Sequence, residues 1–377
     1  MRVSQVVLTQ PHPVAADFLP LASLQPQLVL AFGAIDALRG AADAMRQAFA
    51  GAHVAGCSTA GEISSAGVAD GSLVVTAIAF DSVRVEQVST ELLGMNDSRD
   101  AGRRLAQGLP TEGLRAVLLF GQGVHINGSA LIEGMTEGVR VPITGGLAGD
   151  AGAFVQTWVL DDQGVSSSRL VCIGLYGERL RFSHGSYGGW MPFGPARKVS
   201  RSHNNVLYEL DGESALAVYK RYLGEHAATL PASGLLFPFL MLGEDHTELG
   251  LIRTILGVNE ADGSLTLAGD IVPQGYLKLM HASTDALVGG AEAAAEMAGN
   301  GRFNADSSLA ILVSCVGRKL VMGGRVDEEV EAVAAVLGAS TLLTGFYSNG
   351  EISPSGRLTD CKLHNQTMTI TCLCEAP

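Results

Sequence analysis

The chain has 377 residues, of which 47% are apolar and only 17% charged, with 47 glycines. That composition excludes intrinsic disorder, which needs few apolar residues and many charges, and the glycines keep no collagen-like period. With 38 acidic against 25 basic residues the net charge is −13, which repels phosphate backbones and argues against a general nucleic-acid binder.

The length suits two or three compact domains. The longest apolar run, Leu235 to Leu242, contains Pro238 and falls far short of the roughly 20 residues of a spanning helix. The opening MRVSQVVLTQ holds one Arg and a short strand-like run without a leader's apolar core, so a cytoplasmic location is expected. The six cysteines (Cys57, Cys172, Cys315, Cys361, Cys372 and Cys374) mostly sit in apolar, strand-like runs and read as buried thiols.

In chain order, Leu28–Gly33 (LVLAFG) is a buried-strand run. Asp36 to Phe49 then places Ala37, Leu38, Ala41, Met45 and Ala48 at helical spacing, and His53–Ser64 (HVAGCSTAGEIS) is a strand ending in a glycine loop. The same order returns in Ala116–Gly121, Ser129–Gly138 and Val141–Asp150 (VPITGGLAGD), and again in Leu309–Cys315, Glu328–Leu337 and Leu342–Ser353 (LLTGFYSNGEIS). Three strand–helix–strand units with glycine loops predict an α/β fold with parallel inner pairs in mixed sheets, and Gly56, Gly145 and Gly345 at equivalent turns. Between the copies, Ser72–Phe80 and Val83–Ser89 read as a hairpin over Asp81-Ser82. Thr157–Leu160, Arg169–Tyr176 and Leu180–His184 read as a meander, and Leu216–Leu223 as a helix. Leu251–Val258 with Ser264–Ala268 reads as a hairpin, Ala286–Ala298 as a helix and Gln366–Leu373 as a half-buried strand.

Several longer motifs carry a family resemblance: GCSTAGEI at Gly56–Ile63, GGLAGD at Gly145–Asp150, SCVGRKLVMG at Ser314–Gly323, GFYSNGEISP at Gly345–Pro354 and LHNQTMTIT at Leu363–Thr371. They resemble the FIST family of bacterial sensory proteins, with an N-terminal FIST part and a FIST C part. The stretches Gly185–Gly212 and Tyr222–Phe239 resemble its NosP branch. The expected division is a lead-in over 1–27, FIST N over 28–219 and FIST C over 220–377. The resemblance implies a sensor and not an enzyme: a haem-binding nitric-oxide sensor that regulates a histidine kinase, and through it cyclic-di-GMP output.

Haem iron takes an imidazole, thiolate, thioether or phenolate ligand. Of nine histidines, His184 is the first choice for the iron, because it ends an apolar strand before a glycine–aromatic loop in which Tyr187, Trp190 and Phe193 can wall a pocket of haem b. His203, in a polar turn, is the second choice, and His364 in LHNQT reads as a hydrogen-bonding residue. No C-x-x-C-H is present for covalent attachment. The alternative is a small polar metabolite, such as an amino acid, held without haem by the glycine loops: Gly56, Cys57, Ser58, Gly61, Glu62, Gly145, Asp150, Gly345 and Glu351. Those three carboxylates can equally serve as caps or pair with Arg318. Cys372-x-Cys374 lacks the spacing of a zinc pair, and Gly56-Cys57-Ser58-Thr59-Ala60 lacks the last glycine of a nucleophile elbow. A chain so poor in charge is expected to bury surface in a homodimer.

Overall fold

A computed structural model describes residues 1–10, 12–299, 308–356 and 358–376. The chain builds three topologically equivalent units, each running outer strand, helix, inner strand, helix, inner strand, hairpin and second outer strand. Unit I uses Arg2–Leu8, the turns Ala15–Phe18 and Leu19–Ala22, Leu28–Gly33, Ile35–Ala48, His53–Ser58, Glu62–Ser64 with Gly67–Ala69, and Leu73–Ala79. Unit II uses Arg84–Glu91, Ser98–Gly108, Leu114–Gly121, Gly128–Gly138, Ile143–Leu147, Val159–Asp161 with Gly164–Ser166, and Arg169–Tyr176. Unit III opens with Leu180–Tyr187 and resumes with Thr284–Gly299. It continues through Ser308–Cys315, Val316–Met322 with Asp327–Leu337, Thr341–Ser348, Gly350–Pro354 with Cys361–His364, and Met368–Glu375.

In each unit the two inner strands pair in parallel, and each is an apolar run because sheet and helix layers cover both faces. The predicted repeat is present. Gly56, Gly145 and Gly345 lie at the same register, opposite Ala31, Leu119 and Leu312. They stand inside the second inner strand and not in turns. A Cβ at any of them would overlap the carbonyl oxygen of its opposite residue, so only glycine permits that approach.

Each unit gives its hairpin away. The hairpin of unit I adds to the second inner strand of unit III, that of unit II to unit I, and that of unit III to unit II, each making a six-stranded sheet. This cyclic exchange closes the three sheets around one shared core. At its centre Phe32, Phe120 and Phe346 meet with ring centroids 4.7 to 6.2 Å apart. The helices pack outside, through smaller cores such as the one joining Ala37, Leu38, Ala41 and Met45 to Val29 and Val75.

Several local expectations yield to this architecture. The strands Leu73–Ala79 and Arg84–Glu91 form no hairpin, because the first pairs within unit I and the second with Arg169–Tyr176. The three strands read as a meander go to three different sheets. The last strand is fully buried, not half-buried. Strand pairing crosses the position 219/220, since Leu180–Tyr187 pairs along the last strand and hairpins cross between units.

Residues 191–281 are an insertion in unit III. Its strands, led by the long Met191–His203, form an eight-stranded antiparallel arrangement. Helix Ala215–Leu223 lies over a core of Tyr219, Phe239, Leu265, Leu277 and Leu279. The helices Ala215–Leu223 and Thr284–Gly299 and the Ile255–Asn259/Ser264–Leu267 hairpin stand close to where the sequence puts them. Among the described residues no helix is long and apolar enough to cross a membrane.

Candidate functional site

The two predicted sets of site residues fall in different surroundings. The glycine-loop set is folded into the core. Cys57 is fully buried, and burial pushes its thiol well above the usual range. Ser58 Oγ donates to the carbonyl of Gly149 at 2.7 Å and accepts from the Trp158 amide at 2.9 Å. Gly61 has a positive φ of 137° and leaves no room for a Cβ beside Lys319.

Glu62 and Glu351 occupy matching positions and are held in the same way. One oxygen of Glu62 accepts from Thr59 Oγ1, and the other from the Ser72 amide and hydroxyl at 2.9 and 2.8 Å. Glu351 accepts from Ser348 Oγ at 2.7 Å and from the Thr367 amide and hydroxyl at 3.1 and 3.0 Å. Each carboxylate ties the start of its exchanged hairpin to the entry of the following outer strand. Burial raises both, Glu351 to about 7. The register puts Val159 at the third such position, so unit II does without the carboxylate. Asp150 instead caps its own loop, accepting from the amides of Phe154, Val155 and Gln156. None of the three pairs with Arg318, which meets Glu329 at 2.7 Å in a fully buried pair with Ser314 and Tyr347.

The second set assembles in part. His184 stands on Leu180–Tyr187 opposite Thr371, and the chain turns through Gly188-Gly189 into Trp190. His184, Tyr187, Trp190 and His364 line one pocket of about 400 Å³, with Leu240, Ile252, Met280 and Met297 among its apolar walls. Trp190 Nε1 donates to the Gln366 carbonyl at 2.8 Å, which fixes the indole against the LHNQT loop. Phe193 lies outside, edge-on to Tyr222 and His281. His203 is exposed at a hairpin end beside Asn204. Gly185 and Gly189 of the glycine–aromatic loop serve close packing against helix Thr284–Gly299, through Ala294 and Ala286. The sequence reading missed His364 as a pocket residue. Only its place in LHNQT marked it.

Both pocket histidines are neutral. Burial lowers the imidazole of His184 and takes that of His364 down to about 4. His364 Nε2 is 3.1 Å from the Ser353 carbonyl and therefore carries the proton, which leaves Nδ1 as an acceptor. Among the described residues His184 Nδ1 is buried without a hydrogen-bond partner. A buried polar atom with no partner is costly, and this one belongs to a residue that lines the pocket. A lining that holds neutral imidazoles, an indole and two thioethers includes donors of the kind a haem iron takes, of which it needs only one or two. Among the described residues no cluster of three His, Cys, Asp or Glu side chains offers a separate metal site. No Lys or Arg among the described residues lines the pocket and Glu248 does, so these residues give the carboxylates of a porphyrin no cation to pair with.

Residues 27–213 match the FIST N domain and residues 215–354 the FIST C domain. The chain belongs to the FIST family. FIST domains mark it as a signal-transduction sensor. A curated relative, the uncharacterized protein MJ1623 of Methanocaldococcus jannaschii, is 26% identical over 202 residues, covering 50% of this FIST chain and 38% of that protein. The matched stretch is thus well under two thirds of the relative's length. Among solved structures, cyanuric acid hydrolase from A. caulinodans aligns over 100% of this chain and 99% of its own at 9% identity and a TM-score of 0.39. A second cyanuric acid hydrolase structure aligns over the same shares at 9% identity and a TM-score of 0.35. Likeness this slight has no bearing on the chemistry of the FIST chain.

Proposed function

We propose that this FIST chain is a haem-based nitric-oxide sensor of NosP type, with its haem site in the His184–Trp190–His364 pocket and a histidine kinase as its partner. The observation that carries the reading is the unpartnered, buried Nδ1 of His184 in an apolar pocket walled by Trp190, Met280 and Met297. When bound, haem supplies an iron that takes nitric oxide as a ligand. The chain supplies the neutral imidazoles of His184 and His364. His184 stays uncharged at neutral pH because burial lowers its proton affinity.

The pocket is also well placed to pass a signal. Residues 184–190 run directly into strand Met191–His203 of the insertion, and Trp190 is tied to the loop before the last core strand. A shift of His184 along its strand therefore reaches both the insertion and the shared core. A homodimer and a cytoplasmic location complete the proposal. The test is to add haemin to purified protein and record the visible spectrum. The reading expects a Soret band that nitric oxide shifts in the ferrous form. A protein that takes up no haem would sink it.

A further inference from the structure

A larger cavity, of about 890 Å³, lies on the other side of the Ser355–Gly356 segment that also walls the histidine pocket. Three parts of the chain enclose it: helix Gly128–Gly138 of unit II, the insertion through Leu251, Arg253 and residues 270–273, and the hairpin strand Cys361–His364. Arg253 is only 4% exposed. Its Nε donates to the Asp270 carbonyl at 3.1 Å, and its Nη1 to the carbonyls of Ile252 and Leu363 at 3.2 and 3.1 Å. Gly269 forms the shelf beneath, since a Cβ there would press on Nε and Cζ at 2.8 and 3.0 Å.

Those bonds employ Nε and Nη1, while Nη2 makes none among the described residues and is left for the cavity. Nor does Arg253 have a carboxylate within ion-pair distance among those residues. Burial lowers its guanidinium to about 10 although the Asp270 charge nearby partly counters it, which still leaves it charged at neutral pH. A buried cation held by carbonyls alone is costly, and an anion on its free edge would repay that cost. Ser129 lines the same cavity, and its buried Oγ has no partner among the described residues.

The rest of the lining narrows the ligand. Asp270, tethered by Asn127 Nδ2 at 3.1 Å, sits near Arg253 and already offsets part of its charge. Around the cavity Glu133, Asp270 and Asp360 balance Arg140, Arg253 and Lys362, with Lys362 already paired to Asp360, so a single negative charge is accepted more readily than a dianion. Ile132, Leu251 and Val272 give the cavity apolar walls. We propose that this cavity binds a small organic monocarboxylate, its carboxylate on Arg253 and its apolar body against Ile132, Leu251 and Val272.

The test is calorimetric titration of the full chain with sodium acetate, butyrate, hexanoate and inorganic phosphate. Expected is saturable binding of one hexanoate per chain, with affinity rising from acetate to hexanoate and phosphate weaker than hexanoate. Arg253→Gln should weaken hexanoate at least tenfold, the loss of a charge-assisted hydrogen bond. Leu251→Trp, which fills the cavity from a half-buried wall, should abolish binding and serves as the deciding variant if Arg253→Gln does not fold. His184→Ala should leave hexanoate binding unchanged, which keeps this result separate from the haem reading. No saturable heat with hexanoate, binding that survives both cavity substitutions, or phosphate binding more tightly than hexanoate would each overturn the proposal.

Discussion

Glu351 makes the matched carboxylate motif measurable. Burial lifts its carboxyl from 4.5 to about 7 in the folded protein, although three hydrogen bonds partly counter the effect. The folded state therefore holds the proton more tightly than the unfolded chain. Its contribution to stability is full below about pH 4.5 and is lost as pH rises toward 7. At about 1.4 kcal/mol per tenfold change in proton affinity, the charged form costs about 3 kcal/mol at pH 8. His364 acts in the opposite direction. Its imidazole is depressed to about 4, so its contribution is present above pH 6.5 and is lost as pH falls toward 4.

Comparing wild type with Glu351→Gln cancels the histidine term. Glutamine keeps the shape, and the Ser348 hydroxyl can turn to accept from the new amide. Urea unfolding at pH 5 and pH 8 is the assay. The variant should gain on the wild type by about 2 kcal/mol or more between the two pH values. An equal difference at both, or a variant weaker at pH 8, would refute the argument that a buried charge is carried there at a cost.

Three further outcomes follow from the packing. Gly345→Ala places a methyl on the Leu312 carbonyl and should prevent soluble folding, whereas Gly250→Ala, with open space around it, should cost far less; expression and circular dichroism compare them. Arg318→Met leaves Glu329 buried without its cation and should destabilise by about 3–5 kcal/mol in urea unfolding. Against a thiol reagent, the native protein should protect all six cysteines, each free and buried, and all six should react in denaturant; fast reaction of any thiol in the native state would contradict the packing.

The repeat was legible because each unit spends a glycine where its inner strands touch, and that need survives when other residues diverge. Helices with a clear apolar stripe were legible for the same local reason. The hairpin exchange was not, because Glu62–Ser64 pairs with Thr341–Ser348 across nearly the whole chain and no local pattern encodes that partner. The misread hairpin at Asp81-Ser82 shows the same limit: two adjacent strands with a short turn between them belong to different sheets. Of the site, His184, Tyr187 and Trp190 came from one stretch of sequence and do share a pocket, while Phe193, three residues beyond Trp190, points elsewhere. Arg253 gave no signal beyond a lone cation within the apolar run LGLIRTIL. That it lacks an ion pair among the described residues appears only in three dimensions.

The central claim rests on one imidazole. Haemin titrated into wild type, His184→Ala and His203→Ala, followed by visible absorption, tests it most directly. The account predicts that wild type and His203→Ala take up haem with the same Soret band, and that His184→Ala loses the band or binds at least tenfold more weakly. Wild-type spectrum and affinity in His184→Ala would contradict it.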